Sequence, residues 1–386
     1  MLEIKTTEAL KSFCQACAKQ DYVTVDTEFL REKTYYSKLC LIQIAFDGDG
    51  ETDAALVDVL SEDIDLAPLY TLFDDESVIK VFHAARQDLE IFFHEAGRLP
   101  KPFFDTQVAA MVCGFGEQVG YERLVRSICN SELDKSSRFT DWSNRPLSDK
   151  QKRYAIGDVT FLRDIYKDLS KRLVETKRTS WVSEELEVLL DPATYQVNPD
   201  AAWQRVKMRS SSKRMLAAVM ELAAFREHHA QTNNIPRNRV FKDDALLEIA
   251  ATRPKAIKDF SKMRLVQRDV RKNSDVAEGI LNALIAADKR DPKSLPKHPK
   301  RYDRPQGVEG LAELLRVFLK ARAEEYKVAT KLIASSSDLD LIAAGDFSGP
   351  MFKGWRAEVF GDDAKRLCKG ELALISNGKK VTTVSL

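Results

Sequence analysis

Asp26 and Glu28 stand two residues apart in DYVTVDTEF (21–29), a segment whose β-branched residues alternate with period two. On a strand, residues i and i+2 project to one face, so D-T-E sets two carboxylates side by side at a strand's end. Like charges this close are unfavourable without a cation, and hard divalent ions that prefer oxygen ligands, such as Mg²⁺, meet that need. A D-x-E pair is equally an ordinary polar strand end in water, so its weight depends on partners. Asp88, in FHAARQDLEIF, falls in the first turns of a helix whose apolar side is Leu89, Phe92 and Phe93. That leaves Asp88 on a different face, where the helix dipole alone would also favour an acid. Tyr154 and Asp158, in KRYAIGDVTFL, are i and i+4 on a helix and can address one site. Leu162 and Ile165 would anchor that helix, and Gly157 removes a side chain beside Asp158 so that a substrate backbone can approach.

These residues need elements to position them. LCLIQIAF (39–46) and AALVDVL (54–60) read as two further strands across the turn-rich DGDGETD, and SVIKVF (77–82) as a fourth that leads into the helix of Asp88. A short fifth strand is expected at FFDT (103–106), with helices over 106–113, 119–129 and 148–174. Three early strands followed by strand–helix alternation predict a mixed five-stranded sheet flanked by helices. From about 208 onward strand patterns nearly vanish: Leu216, Val219, Met220 and Ala223 recur at helical spacing, and DDALLEIA and VAEGILNALIAADK open with acids near plausible N-caps. KRDPKSLPKHPKRYDRP (289–305) carries four prolines among many cations and reads as a linker before GVEGLAELLRVFLKARAEEY. The expected division is an α/β unit over 1–175, a connecting segment over 176–207, an all-α unit over 208–289, a Pro/Lys-rich linker over 290–305 and a second all-α unit over 306–386.

The composition is that of ordinary globular protein, with 44% hydrophobic and 31% charged residues. MLEIKTTEAL has no basic region followed by an apolar stretch, and the longest apolar runs are far too short to cross a bilayer. The reading is a cytoplasmic protein with no membrane association and no obligate protein partner in evidence. Six cysteines do not form a disulfide framework at this length; Cys14 and Cys17 make one C-x-x-C with no second pair at zinc-site spacing, and read as helix residues on neighbouring turns. The net charge of +1 hides an uneven distribution. Residues 1–200 carry 24 Lys/Arg against 36 Asp/Glu, a net −12; residues 201–305 carry 24 against 12, a net +12. A cation-binding module beside a polyanion-binding one has this pattern, as does a basic solvated helical surface. Arg205, Lys207, Arg209, Lys213 and Arg214 cluster where the first all-α unit begins.

In this order and on these elements, D-T-E, then H-x-x-x-x-D after a later strand, then Y-x-x-x-D on a helix resemble the tyrosine-bearing branch of the DEDD exonucleases. Within that branch, DTEFLREKTYYSKLCLIQIA, VFHAARQDLEIF, FDTQVAA and DWSNRPLSDKQKRYAIGDV resemble the ribonuclease D family. LAAVMELAAFREHHAQTNNIPRNRVFKDDALLEIA resembles a helicase-and-RNase-D C-terminal (HRDC) domain, and residues 306–386 a second, divergent one. The resemblance implies a ribonuclease H-like catalytic fold and a 3′→5′ exoribonuclease that hydrolyses single-stranded 3′ ends to 5′-mononucleotides. Asp26, Glu28, Asp88 and Asp158 would hold two Mg²⁺ or Mn²⁺ ions, Asp26 bridging both, Glu28 and Asp158 completing the first and Asp88 serving the second. Two such ions about 3.5–4 Å apart activate water, neutralise the phosphate and help the departing oxyanion. Tyr154 would orient the attacking water, a phenol with an ordinary pKa of about 10 being a poor base at neutral pH. Phe29, Tyr35 and Trp142 are expected platforms for terminal bases, Trp142 more than Phe29 because DWSNRPL reads as a loop; His83, Gln87 and Arg145 are further candidate substrate contacts. The partners implied are single-stranded RNA 3′ ends, with tRNA precursors and other small RNAs as substrates. The alternatives are a DNA-directed 3′→5′ exonuclease, which would use the same five residues, and a non-enzymatic RNA-binding protein. A helicase is disfavoured because no G-x-x-x-x-G-K-[ST] phosphate loop is present.

Overall fold

The computed structural model describes all residues except 49, 51, 135, 136, 138, 139, 209–211, 267–273 and 297–305, together with the Ser274 side chain. The N-terminal unit is a mixed sheet of β1 (Leu2–Ile4), β2 (Tyr22–Leu30), β3 (Lys38–Phe46), β4 (Ala54–Val57), β5 (Ile79–Phe82) and β6 (Phe103–Asp105) in the order β1-β4-β3-β2-β5-β6. The expected five strands become six, because the three-residue β1 is too short to show a period and is defined by its parallel pairing with β4. β2–β3 and β3–β4 are antiparallel, while β2–β5 and β5–β6 are parallel.

Alternation along β2 and β3 divides the residues between two layers. Val23, Val25, Ile42 and Ile44 face the main core, shared with α1 (Thr7–Cys17), α2 (Ala67–Asp74) and α3 (Arg86–Ala96). The opposite face meets the long helix α6 (Asp149–Glu175): Leu41 packs with Ala155, Ala45 with Val159, and Tyr22 with Leu162. Ser148 and Gln151 form a capping box that fixes where α6 begins. Along the chain, α4 (Thr106–Val112) and the short α5 (Tyr121–Leu124) follow β6 and precede α6. Cys14 and Cys17 are buried in the main core, and burial pushes the Cys14 thiol up to about 12 and the Cys17 thiol higher still, so they pack rather than react.

A second core gathers α8 (Lys213–Thr232), with Leu216, Val219, Met220 and Ala223 all inside, and the helices Asp243–Thr252 and Ser274–Lys289. It also draws in Ala202, Trp203 and Val206, ahead of position 208. A third core surrounds the helix Glu309–Tyr326, but this unit is not all-α: β7 (Leu372–Asn377) and β8 (Lys380–Ser385) form an antiparallel hairpin closed by Gly378 and Lys379. Gly378, with φ of 62°, supplies the positive φ that the first position of a two-residue hairpin loop requires. Arg209 and positions 297–305 of the expected linker lie outside the described residues.

Candidate active site

The carboxyl end of β2 runs past its neighbour. The register of β2 with β5 stops at Thr24↔Val81, so Asp26 and Glu28 lie beyond β5, paired only with β3. Even-numbered residues of β2 face α6, and there the structure brings Asp26, Glu28 and Asp158 together: one carboxylate oxygen from each lies within 4.8 Å of the others. Thr24, two residues before Asp26, donates its hydroxyl to the Val159 carbonyl at 2.8 Å, locking the turn of α6 that carries Asp158 against the strand. Odd-numbered residues face the other layer, and Thr27 donates to Asp88 on α3. One D-T-E segment therefore addresses both helices that bring acids to this end of the sheet.

These acids lie close enough to act on one another. Burial, then the charges of Asp158, Asp88 and Glu28, push the Asp26 carboxyl well above the usual range. Burial pushes Asp88 up to about 7, although the Thr27 hydrogen bond works the other way. A cleft of about 380 Å³ opens beside them, lined by Asp26, His83, Tyr121, Tyr154 and Asp158 among others. Tyr154, one turn before Asp158, faces it with its ring 6.0 Å from that of Trp142. An added Cβ at Gly157 would meet only ordinary contacts among the described residues, the nearest at 3.6 Å to Leu133. Its carbonyl accepts from Tyr121 at 2.9 Å.

The loop before α3 is also fixed. Ala84 has φ of 57°, a left-handed conformation costly for a residue with a Cβ. Asp105 holds it there by accepting the N–H groups of Ala84 at 3.1 Å and Ala85 at 2.9 Å while capping α4 through Gln107 N–H at 2.7 Å. His83, half-buried on this loop, has Nδ1 3.0 Å from the Thr106 hydroxyl, and burial lowers its pKa so that it is neutral at pH 7. Tyr121, Gln107 and Asp105 thus belong to the site's framework, although FDTQ and GYERL carry no spacing that distinguishes them from helix-start residues.

The expected substrate contacts divide. Phe29 is half-buried beside Glu28, and Gln87 is exposed on the first turn of α3. Trp142, expected on an open loop, is 2% exposed and packed with Leu41 and Ala155, so it cannot stack on a base. Arg145 makes that loop fold inward: it grips both Asp58 oxygens at 2.7 Å and donates to the Trp142 and Cys40 carbonyls at 2.8 Å each. It is a structural pair, not a free phosphate ligand. Tyr35 is engaged elsewhere, its hydroxyl donating to the buried Glu227 of α8, while Asn234 accepts the N–H groups of Tyr35 and Tyr36 at 3.0 Å each. It joins the first two units rather than offering a free ring. Of the basic cluster, Arg205 lines a cavity of about 320 Å³ at that junction with Arg31 and Arg237, and Lys213 donates to the Pro292 carbonyl at 2.9 Å.

The third unit docks on the other side of the N-terminal unit. Trp181, on α7 (Thr179–Leu190), stacks on Trp355 with centroids 4.6 Å apart, and Ala329 N–H reaches the Met111 carbonyl at 3.0 Å. Among the described residues no helix is long and apolar enough to cross a membrane.

Comparison with known proteins adds to this geometry. The chain matches the 3′-5′ exonuclease family over residues 1–174 and the HRDC domain over residues 215–284. It is 57% identical to a ribonuclease D of Jannaschia sp. (strain CCS1), with 99% of each chain covered, and 46% identical to one of Acidiphilium cryptum (strain JF-5), covering 99% of this chain and 97% of that one. Among solved structures it is similar to Escherichia coli RNase D, described as an exoribonuclease involved in structured RNA processing. That match has a TM-score of 0.81 and 27% identity, covering 95% of this chain and 98% of the other.

Proposed function

The chain belongs to the ribonuclease D family and is a 3′→5′ exoribonuclease, and we propose that four carboxylates and one phenol carry its chemistry. Asp26, Glu28 and Asp158 hold one divalent ion, Mg²⁺ or Mn²⁺, and Asp26 with Asp88 holds a second. The observation that carries this reading is the convergence of three carboxylate oxygens within 4.8 Å at the end of β2, with the Asp26 carboxyl pushed up by burial and by its acidic neighbours. An all-oxygen donor set with excess negative charge fits a hard divalent ion and not a soft one. When bound, such ions activate water, neutralise charge on the scissile phosphate and assist the departing 3′-oxygen.

The chain's own residues do the rest. Tyr154 hydrogen-bonds the attacking water and aims it, with no need to remove a proton. Thr24 and the Tyr121–Gly157 bond keep α6, and so Asp158, at a fixed height over β2. Asp105 keeps the His83–Ala85 loop in its strained form, so that neutral His83 and exposed Gln87 can meet the terminal nucleotide and Phe29 its base. The basic 201–305 segment supplies sequence-independent affinity for phosphates, which the acidic catalytic unit lacks. The division at 175, 207, 289 and 305 belongs to the same reading. The substrates are single-stranded 3′ ends of tRNA precursors and other small RNAs, and the enzyme works in the cytoplasm.

The test is a 5′-labelled single-stranded RNA, its DNA counterpart and a tRNA precursor with a 3′ trailer, each with Mg²⁺ or EDTA. We expect a ladder shortening from the 3′ end on RNA, loss with EDTA, slower loss of DNA and a stop near the precursor's acceptor stem. Faster loss of DNA, or trimming indifferent to the stem, would overturn the substrate assignment.

A further inference from the structure

Gln43 lies in the middle of β3, directly opposite Asp26 in the antiparallel register. Residues paired this way project to the same face with Cβ atoms about 4.5–5.5 Å apart. On β3 its face is set by Leu41, packed on Ala155 and Trp142, and Ala45, packed on Val159, so Gln43 points into the layer beneath the turn of α6 that carries Tyr154 and Asp158. It is 0% exposed, and neither its amide nitrogen nor its amide oxygen has a hydrogen-bond partner among the described residues. Leu56 pairs with it on β4, and Leu41 and Ala45 flank it on β3; the indole N–H of Trp142, buried in the same layer, is a donor and cannot serve the Gln43 amide N–H. The Thr24 hydroxyl is given to the Val159 and Ala45 carbonyls. A carboxamide buried with its hydrogen-bonding capacity unmet works against folding, and leucine or methionine would serve the packing better. The polar group in register with it is the Asp26 carboxylate.

We propose that Gln43 is a positioning residue for Asp26, its amide N–H donating toward the Asp26 carboxylate through one water, so that the carboxylate presents its oxygens to the metal ions in a fixed orientation. This rests on the reading of Asp26 as a metal ligand. A charged residue in the same place would add to the like-charge crowding or compete with the ions, whereas a neutral amide orients without neutralising. Groups that orient a metal ligand in this way typically alter metal affinity or activity about 10–100-fold when lost.

The test uses the full-length protein with Gln43→Met and Gln43→Leu, which keep the volume and remove the hydrogen bonding, and Asp26→Asn as a reference. Three quantities are read: the thermal midpoint in EDTA, Mn²⁺ affinity by titration calorimetry, and kcat and KM on a single-stranded RNA. We expect the Gln43 variants to unfold no lower than wild type, to bind Mn²⁺ about 10–100-fold more weakly and to lose kcat with KM for RNA unchanged. Wild-type Mn²⁺ affinity and kcat in both Gln43 variants, with Mn²⁺ binding lost in Asp26→Asn, would overturn the role of Gln43 alone. A marked fall in the EDTA midpoint of both variants would also overturn it, by assigning the amide to the fold itself. Undiminished Mn²⁺ binding in Asp26→Asn would instead remove the metal-ligand reading on which the inference stands.

Discussion

Asp58 and Asp88 belong to the same unit and are buried to similar extents, 9% and 6% exposed, yet their surroundings treat the negative charge in opposite ways. Burial pushes both carboxyls up. At Asp58 the two Arg145 hydrogen bonds and the guanidinium charge outweigh burial and hold the carboxyl below its ordinary range. At Asp88 the Thr27 hydroxyl and backbone N–H groups oppose burial but do not outweigh it, Asp105 adds like charge, and the pKa reaches about 7. A buried carboxylate gripped by its own arginine closes a loop, whereas Asp26, crowded by Asp158, Asp88 and Glu28, makes a site suited to a cation. The same contrast separates the two kinds of joint in the chain. Where Trp355 meets α7, its indole donates to Glu185, which Arg356 also pairs, so that charge is spent within the protein.

The largest effect expected from breaking this contrast is at Asp26. Asp26→Asn should lower kcat by at least about 10³-fold, since several kcal/mol of charge stabilisation is lost at about 1.4 kcal/mol per decade. The same change should raise the thermal midpoint in EDTA, because a member of a like-charged cluster is removed. Single-turnover kinetics and calorimetry read the two halves, and a midpoint that falls would mean the cluster is not under electrostatic strain.

Next comes the paired region. Arg145→Ala should destabilise the N-terminal unit by about 2–4 kcal/mol, because it leaves Asp58 buried without its partner. Mn²⁺ affinity of the folded fraction should stay at the wild-type value. Weaker metal binding in that variant would tie the two regions together and defeat the contrast drawn between them.

Tyr154→Phe should reduce kcat by about 10–100-fold while leaving Mn²⁺ binding and KM near wild type, as expected for a group that aims water but holds no metal. The smallest effect is the pH dependence of stability without metal. Asp88 has a folded pKa of about 7, above the ordinary value near 4, so the folded chain binds more protons than the unfolded chain in between. Its contribution is fully present below about pH 4 and is lost as pH rises through 7. The EDTA midpoint should therefore fall between pH 5 and pH 8, and Mg²⁺ should restore it at pH 8. Asp58 has the opposite sign: its folded pKa is depressed, so its contribution is present at neutral pH and lost on acidification. Asp88→Asn should flatten the former slope, and an unchanged slope would place its origin in another group.

Much of this was legible in the residues themselves. The two periodicities assign Asp26 and Glu28 to one strand face and Tyr154 and Asp158 to one helix face, and the structure draws Asp26, Glu28 and Asp158 together. What pattern could not show is which loops fold inward. DWSNRPL has the composition of an exposed turn, but the pairing of Arg145 with Asp58, 87 positions away, and packing on Leu41 and Ala155 fold Trp142 inward. Tyr35 looked like a free aromatic ring because its partner Glu227 lies 192 positions along the chain in another unit. Gln43 sits in an apolar strand run that calls for nothing polar, and its oddity emerges only once the register puts Asp26 across from it. Strand β1 is too short to carry a period, whereas the terminal hairpin had a local sign in the turn-forming Gly378 between β-branched runs that a helical expectation for 306–386 passed over.

The most direct test of the account is where a metal goes. Crystals of the wild-type protein soaked in Mn²⁺ should show two anomalous peaks at the end of β2, both touching the Asp26 carboxylate and about 3.5–4 Å apart, with none at Asp58. No peak at Asp26, or a single ion that leaves Asp26 untouched, would contradict the claim that crowded carboxylates make this end of the sheet the catalytic one.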